Sequence, residues 1–344
     1  MKTIPFRYND AGLTRYVKAS GCAAKLDPSD LKQYVGALLE PNSNLISSLN
    51  SNEDAGVFAL GDGRNLVQTV DFITPVVGDP YIYGAIAAAN SLSDVFAMGG
   101  RALTAMNVVG FDKCHFGEEV LAEILAGAKE KIKECGATLV GGHSIETPEM
   151  IFGLSVTGIV GDDFWSNNTA QIGDMLILTK PLGTGVMATA IKGEMAGPDE
   201  IRAACESMSM LNFYAQNALL PFGVHAATDV TGFGFLGHLS EMLRNDISAD
   251  IYEASVPVMR AARKYAALGV IPAGTYKNAE FTRNLCSKEA DLLLSDAQTS
   301  GGLLAAVAQK DAYKALKAVK EAGCEEAEIV GEIKPRGEFA INLI

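Results

Sequence analysis

The chain has 344 residues, a length that allows roughly two domains of ordinary size. With 28 Lys and Arg against 41 Asp and Glu its formal net charge is −13, the opposite of the basic face that nucleic acid or an anionic membrane surface requires. A hydrophobic fraction of 48% and a charged fraction of 20% exclude a disordered chain, and no run approaches the roughly 20 apolar residues of a membrane helix.

In chain order, residues 1–50 read as a polar, flexible arm and lead-in, with a helix-like piece at 31–39. Strands are expected at 57–60 and 65–72 around the turn Gly61-Asp62-Gly63-Arg64. Asp79 followed by Pro80 is a helix start, an N-cap acceptor with proline at the first helical position, and the helix should stop at Gly99-Gly100. A strand follows at 102–109. An amphipathic helix at 117–135 has Val120, Ile124, Ala128 and Ile132 on one face. A short strand at 137–140 then runs into Gly141-Gly142-His143-Ser144, and another strand covers 150–160.

The polar stretch 161–171 marks a domain boundary, which divides the chain into 1–50, 51–167 and 168–344. Beyond it, strands are expected at 175–179, 226–230, 251–253, 292–295, 303–307, 328–333 and 339–343. Helices are expected at 185–191, 200–219, 235–243, 258–268 and 310–322. Six cysteines with no C-x-x-C pair, and an N-terminus without an apolar h-region, point to a reducing, cytoplasmic protein.

Two patterns carry chemistry. Glycine clusters at element ends, at 141–144, 183–185, 231–234 and 299–302, let backbone N–H groups approach an anion such as phosphate. None matches the P-loop or the dinucleotide fingerprint, and a tight turn is the ordinary reading of each. Four aspartates, Asp54, Asp71, Asp94 and Asp229, sit in apolar surroundings, and Asn90 shares a helical face with Asp94. Buried carboxylates without basic neighbours suit a hard cation, Mg²⁺ first, whose shell nucleotide phosphates complete. Capping by individual aspartates is the plain alternative. Cys22, in Ser20-Gly21-Cys22-Ala23-Ala24-Lys25, has small flanks and a lysine able to raise its thiolate fraction; an inert thiol is the competing reading.

The set Gly21-Cys22-x-x-Lys25, Glu53-Asp54-Ala55, Thr69-Val70-Asp71-Phe72, 93–100 (Ser-Asp-Val-Phe-Ala-Met-Gly-Gly), Gly141-Gly142-His143-Ser144, 228–234 (Thr-Asp-Val-Thr-Gly-Phe-Gly) and 296–302 (Asp-Ala-Gln-Thr-Ser-Gly-Gly) resembles the selenophosphate synthetases (selenide, water dikinases). These belong to the aminoimidazole ribonucleotide synthetase-like ATP enzymes. The resemblance implies an α+β protein of two mixed α/β domains of that type, preceded by a flexible Gly-Cys-containing arm. It implies conversion of selenide, ATP and water to selenophosphate, orthophosphate and AMP, a product that supplies selenocysteine and selenouridine synthesis.

By motif, Asp54, Asp94 and Asp229 match Mg²⁺ ligands. Lys25, Ser51, Asn52, Glu53, Asp71, Asp94, Gly142, His143 and Ser144 match ATP-binding positions. Cys22 and Lys25 match the catalytic arm, with Cys22 as the selenium handler. The family also implies a homodimer whose nucleotide sites take residues from both subunits, and leaves room for a selenium-delivery protein. Ala24 stands where some relatives carry a second cysteine, Glu53 where Asp is common and Asn52 where a basic residue occurs. A non-catalytic nucleotide-binding module has no evident use for three metal carboxylates.

Overall fold

The structure is a computed structural model that describes residues 7–18, 20–21, 42–47 and 53–344. Cys22, Lys25, Ser51, Asn52 and the expected helix at 31–39 lie outside the described residues.

The first sheet has five strands in the order β1-β2-β5-β3-β4, with β1 Gly56–Ala59, β2 Asn65–Ile73, β3 Arg101–Phe111, β4 Thr138–Glu146 and β5 Ile151–Val160. All pairs are antiparallel except β3 with β4. Helices α1 (Pro80–Ala97) and α2 (Glu118–Glu134) cover one face. The start of α1 is as the sequence requires: Asp79 accepts from the Ile82 N–H at 2.8 Å, with Pro80 at the first helical position. Every residue of α1 except Tyr81 and Asp94 is buried, as expected of a helix that is apolar on all sides. Gly84 and Gly127 allow α1 and α2 to touch backbone to backbone, since a Cβ on either would meet a main-chain carbonyl of the other helix.

The second sheet has six strands, ordered β11-β8-β10-β6-β9-β7. They are β6 Met175–Leu178, β7 Val224–Asp229, β8 Ile247–Ile251, β9 Leu303–Val307, β10 Glu328–Pro335 and β11 Ile341–Leu343. Alternate residues of β6 and β9 feed two separate cores. Leu176, Leu178, Leu304 and Ala306 pack with Phe235, Leu236 and Leu239 on one side. Ile177, Leu303, Ala305 and Val307 pack with Ala215, Leu219, Ala315 and Val319 on the other. The helices are α3 Thr184–Lys192, α4 Pro198–Ser209, α5 Phe213–Leu219, α6 Gly234–Met242, α7 Arg260–Ala267, α8 Ala273–Thr282 and α9 Ala312–Glu321.

Four local expectations are corrected. The segment Gly141–Ser144 is not a turn after a strand; it is the middle of β4, held extended by pairing with Met106–Val109. Leu292–Ser295 is a 3₁₀ turn rather than a strand, because Asp291 caps the Leu293 N–H at 3.0 Å. The single helix expected over 200–219 is two, α4 and α5, and the strand expected at 251–253 lies at Ile247–Ile251.

A lead-in segment ties the two halves together. Ala11 donates to the Gly78 carbonyl at 3.0 Å. Lys18 N–H reaches Glu149 at 3.1 Å, and Lys192 Nζ on α3 reaches the Lys18 carbonyl at 3.0 Å. Gly21, with φ 61°, donates to the Thr74 carbonyl, and a Cβ there would run into Thr299 and Val76. The described cysteines are all free: Cys114 is exposed, and Cys135, Cys205, Cys286 and Cys324 are buried. Among the described residues no helix is long and apolar enough to cross a membrane.

Candidate active site

Three carboxylates meet where the two domains face each other. Asp54 stands just before β1, Asp94 is the half-buried polar position of α1, and Asp229 ends β7 with 2% of its surface exposed. Asp54 Oδ1 accepts from Thr228 Oγ1 at 2.9 Å and lies 3.4 Å from Asn167 Nδ2. Its Oδ2 is buried and has no hydrogen-bond partner among the described residues. Burial pushes the Asp54 carboxyl well above the usual carboxylate range, and the negative fields of Asp229 and Asp94 push it further. Asp94 Oδ2 accepts from Thr69 Oγ1 on β2.

Among the described residues no group of three or more His, Cys, Asp and Glu side chains is arranged to hold a metal ion by itself. The donor set nevertheless fits a hard cation. It consists of hard oxygen donors, one of them buried and without a proton donor, and the carboxylates repel one another until a positive charge lies between them. Phosphate oxygens would complete a shell that the protein leaves incomplete.

The remaining candidates fall into two groups. Asp71, on the helix-covered face of β2, accepts from Asn90 Nδ2 at 2.5 Å. Glu53 is taken up by the interdomain segment, accepting from Ser166 Oγ and, at 3.1 Å, from the Asn167 N–H. Gly142, His143 and Ser144 are exposed on β4, the far edge of the sheet. Three strand spacings, about 14 Å, separate β4 from β2, and four separate it from β1. Gly142–Ser144 thus stand apart from the strands that lead from Asp54 and carry Asp71.

Thr228, Thr69, Asn167 and Asn90, which orient the carboxylates, follow from no local pattern. Their partners are between 19 and 174 positions away in the chain. Asn90 carried a signal in its helical spacing from Asp94, and Thr69 and Thr228 stood within the family motifs with no role assigned to them.

Known proteins share the fold and much of the sequence. Family models for the N-terminal and C-terminal domains of AIR synthase related protein match residues 52–160 and 171–344. The fold is shared with solved structures at low identity. The HypE–HypF complex aligns with a TM-score of 0.67 and 21% identity, over 91% of this chain and 96% of that chain. AaThiL complexed with AMPPCP and TMP aligns at 0.65 and 14%, over 93% and 96%. Much nearer relatives are the "Selenide, water dikinase" of Campylobacter jejuni, 46% identical over 98% of this chain and 99% of its own, and that of Clostridioides difficile, 44% identical over 96% and 98%. The chain belongs to the selenide, water dikinase family of AIR synthase related proteins.

Proposed function

We propose that the chain converts selenide, ATP and water to selenophosphate, orthophosphate and AMP in the cytoplasm, with Mg²⁺ at the carboxylate cluster. The observation that carries the reading is Asp54, whose buried Oδ2 has no partner among the described residues and which lies in the field of Asp94 and Asp229. These three residues would hold Mg²⁺ together with nucleotide phosphates. Mg²⁺, when bound, offsets charge on the phosphate oxygens in a protein of net charge −13. Asp71 and Glu53, with Ser51, Asn52 and Lys25, would contact the nucleotide from the same chain.

Cys22 is the selenium handler and Lys25 attends the phosphates. Gly21, wedged against Thr299 and Val76, starts their arm at the seam between the domains. With Ala24 in place of a second thiol, no disulfide cycle runs at the arm. Selenide is itself an anionic nucleophile, so its attack needs no general base. An arm closed over the site would keep bulk water from the first phosphoryl transfer.

The working unit is a homodimer. Gly142, His143 and Ser144 are about 14 Å or more from β2, which carries Asp71, and from β1, and this separation supports their being supplied by a second copy. The face of the first sheet that lacks helices offers the surface, with Val70 at 59%, Phe72 at 49% and Ile145 at 55% exposure.

Anaerobic turnover with Mg²⁺ and ATP, with and without selenide, followed by ³¹P NMR, tests the activity. Selenide-dependent AMP and a phosphorus signal coupled to selenium are expected. ADP as the stable product, or AMP without selenide, would overturn the reading. Cys22→Ser should lose most of the selenium transfer while still binding ATP; full selenophosphate formation from free selenide would leave Cys22 a delivery role at most.

A further inference from the structure

We propose that Asn90 is a positioning residue that fixes the Asp71 carboxylate for nucleotide binding, and that Lys180 of the second domain holds Asn90 in register through the backbone of Ser300. The proposal rests on the reading of Asp71 as a nucleotide contact and deepens it.

Asn90 is fully buried in the middle of α1. Its amide faces two partners of opposite need. The Ser300 N–H, a donor, lies 3.0 Å from Oδ1, and Asp71 Oδ2, an acceptor, lies 2.5 Å from Nδ2. Only a side chain with both a donor and an acceptor at this length satisfies both, and the two partners also fix which way the amide points. A carboxylate would repel Asp71, and an aliphatic side chain would leave the buried Ser300 N–H without a partner.

Ser300 occupies the left-handed region at φ 51°, which a residue with a Cβ adopts only when its surroundings hold it there. Asn90 grips its N–H on one side, and Lys180 Nζ grips its carbonyl at 2.9 Å on the other. Lys180 is 2% exposed. Its Nζ also donates to the Met210 carbonyl at 2.7 Å, and among the described residues it forms no ion pair. A methionine would fill that volume without the cost of burying a polar amine, so the lysine is explained by the two carbonyls it holds. Neighbouring Thr299 abuts Gly21, the base of the Cys22 arm. One turn, 299–300, thus sets both the root of the arm and the amide that orients Asp71.

The test is direct titration of Mg²⁺ and a fluorescent ATP analogue into the full chain and into Asn90→Asp and Lys180→Met, with melting temperatures measured in parallel. Asn90→Asp keeps the acceptor for Ser300 but places a carboxylate against Asp71. Lys180→Met keeps volume but donates nothing. Both should weaken nucleotide binding by about tenfold or more, whichever way the melting temperature moves. Leu304→Ala, a core deletion in β9, should lower the melting temperature while leaving nucleotide affinity within about twofold. If Asn90→Asp does not fold, Asn90→Gln, which keeps the donor and the acceptor but displaces them by one methylene while leaving Asp71 untouched, takes its place. It should bind nucleotide about tenfold more weakly, and affinity within twofold of the parent would overturn the proposal. Affinities within twofold of the parent for both single variants would overturn the proposal and leave the family reading standing. A parent chain that binds no Mg·ATP would overturn both.

Discussion

The first sheet carries helices on one face only, whereas β6 and β9 of the second sheet are buried on both. Both sheets are rich in Val, Ile and Leu, so composition does not distinguish them. What differs is the alternation. In β2, buried and accessible positions take turns, with Val67 at 0% and Val70 at 59% exposure, while β9 reads buried at all five positions. A strand pattern of large apolar side chains on its open face describes a surface awaiting a partner; a pattern buried throughout describes one already finished. The proposed sharing of nucleotide contacts between subunits fits this division, because β4 is the exposed edge of the unfinished sheet.

The contrast is most sharply tested by charge. Phe72→Glu, on the open face, should weaken self-association by more than about 4 kcal/mol and take selenide-dependent AMP formation with it. Tyr313→Glu, on a still more accessible site of the second domain, should change neither. Sedimentation of the two variants decides the matter, and a Phe72→Glu protein that remains dimeric would remove the open face as the interface. Conversely, Leu304→Ala should cost about 3 kcal/mol in chemical denaturation, because both sides of that strand are packed; a cost near zero would mean the second sheet is looser than its burial indicates.

The seam between the sheets should respond differently from either. Asp54→Asn should reduce AMP formation by about 100-fold, yet raise the melting temperature of the ligand-free protein. The folded Asp54 carboxyl is raised above its ordinary 3.8, so it retains a proton that the unfolded chain has lost, and stability falls as pH climbs from 3.8 toward the folded value. The gain from Asn should grow over that same window, and added Mg·ATP should narrow it.

The smallest effect belongs to Lys180. Burial pushes its ammonium from 10.5 down to about 7. Between those values the unfolded chain holds the proton and the folded chain does not, so stability rises with pH by at most about 1.4 kcal/mol per pH unit. Lys180→Met should flatten that rise in denaturation curves between pH 7 and 10; an unchanged slope would mean the lysine keeps its proton throughout.

How far the sequence shows these features depends on the range of the interactions. The start of α1 was legible at Asp79-Pro80 because the cap and the proline act within four residues. The extension of β4 through Gly141-Gly142 was not, since adjacent glycines have no preference that outweighs a turn, and the pairing that holds them comes from β3, more than thirty residues earlier. Likewise α8, with Gly274 and two threonines, has no apolar stripe to announce it. In the site, Asp54, Asp71, Asp94 and Asp229 stood out as charges in apolar surroundings. The groups that orient them did not, because Thr228 reaches Asp54 across 174 positions and Ser300 reaches Asn90 across 210. A left-handed Ser300 carries no local sign at all, with glycines beside it as the more natural occupants of such a backbone.

The open face has a consequence for synthesis on the ribosome. The first sheet is complete once Val160 has emerged, with more than half of the chain still to be made. At about 5–20 residues per second, its exposed valines and phenylalanine and its bare edge strand stand uncovered for roughly ten seconds or more while the second domain is made, since Asn212 and Ser300 dock on α1, on the other face of the sheet. During that interval the nascent chain resembles an edge-exposed aggregation template, and β4, glycine-rich at its centre, is the poorest template the sheet offers. Growth conditions that slow elongation past residue 160 should therefore lower soluble yield more than those that slow it before β4 is made.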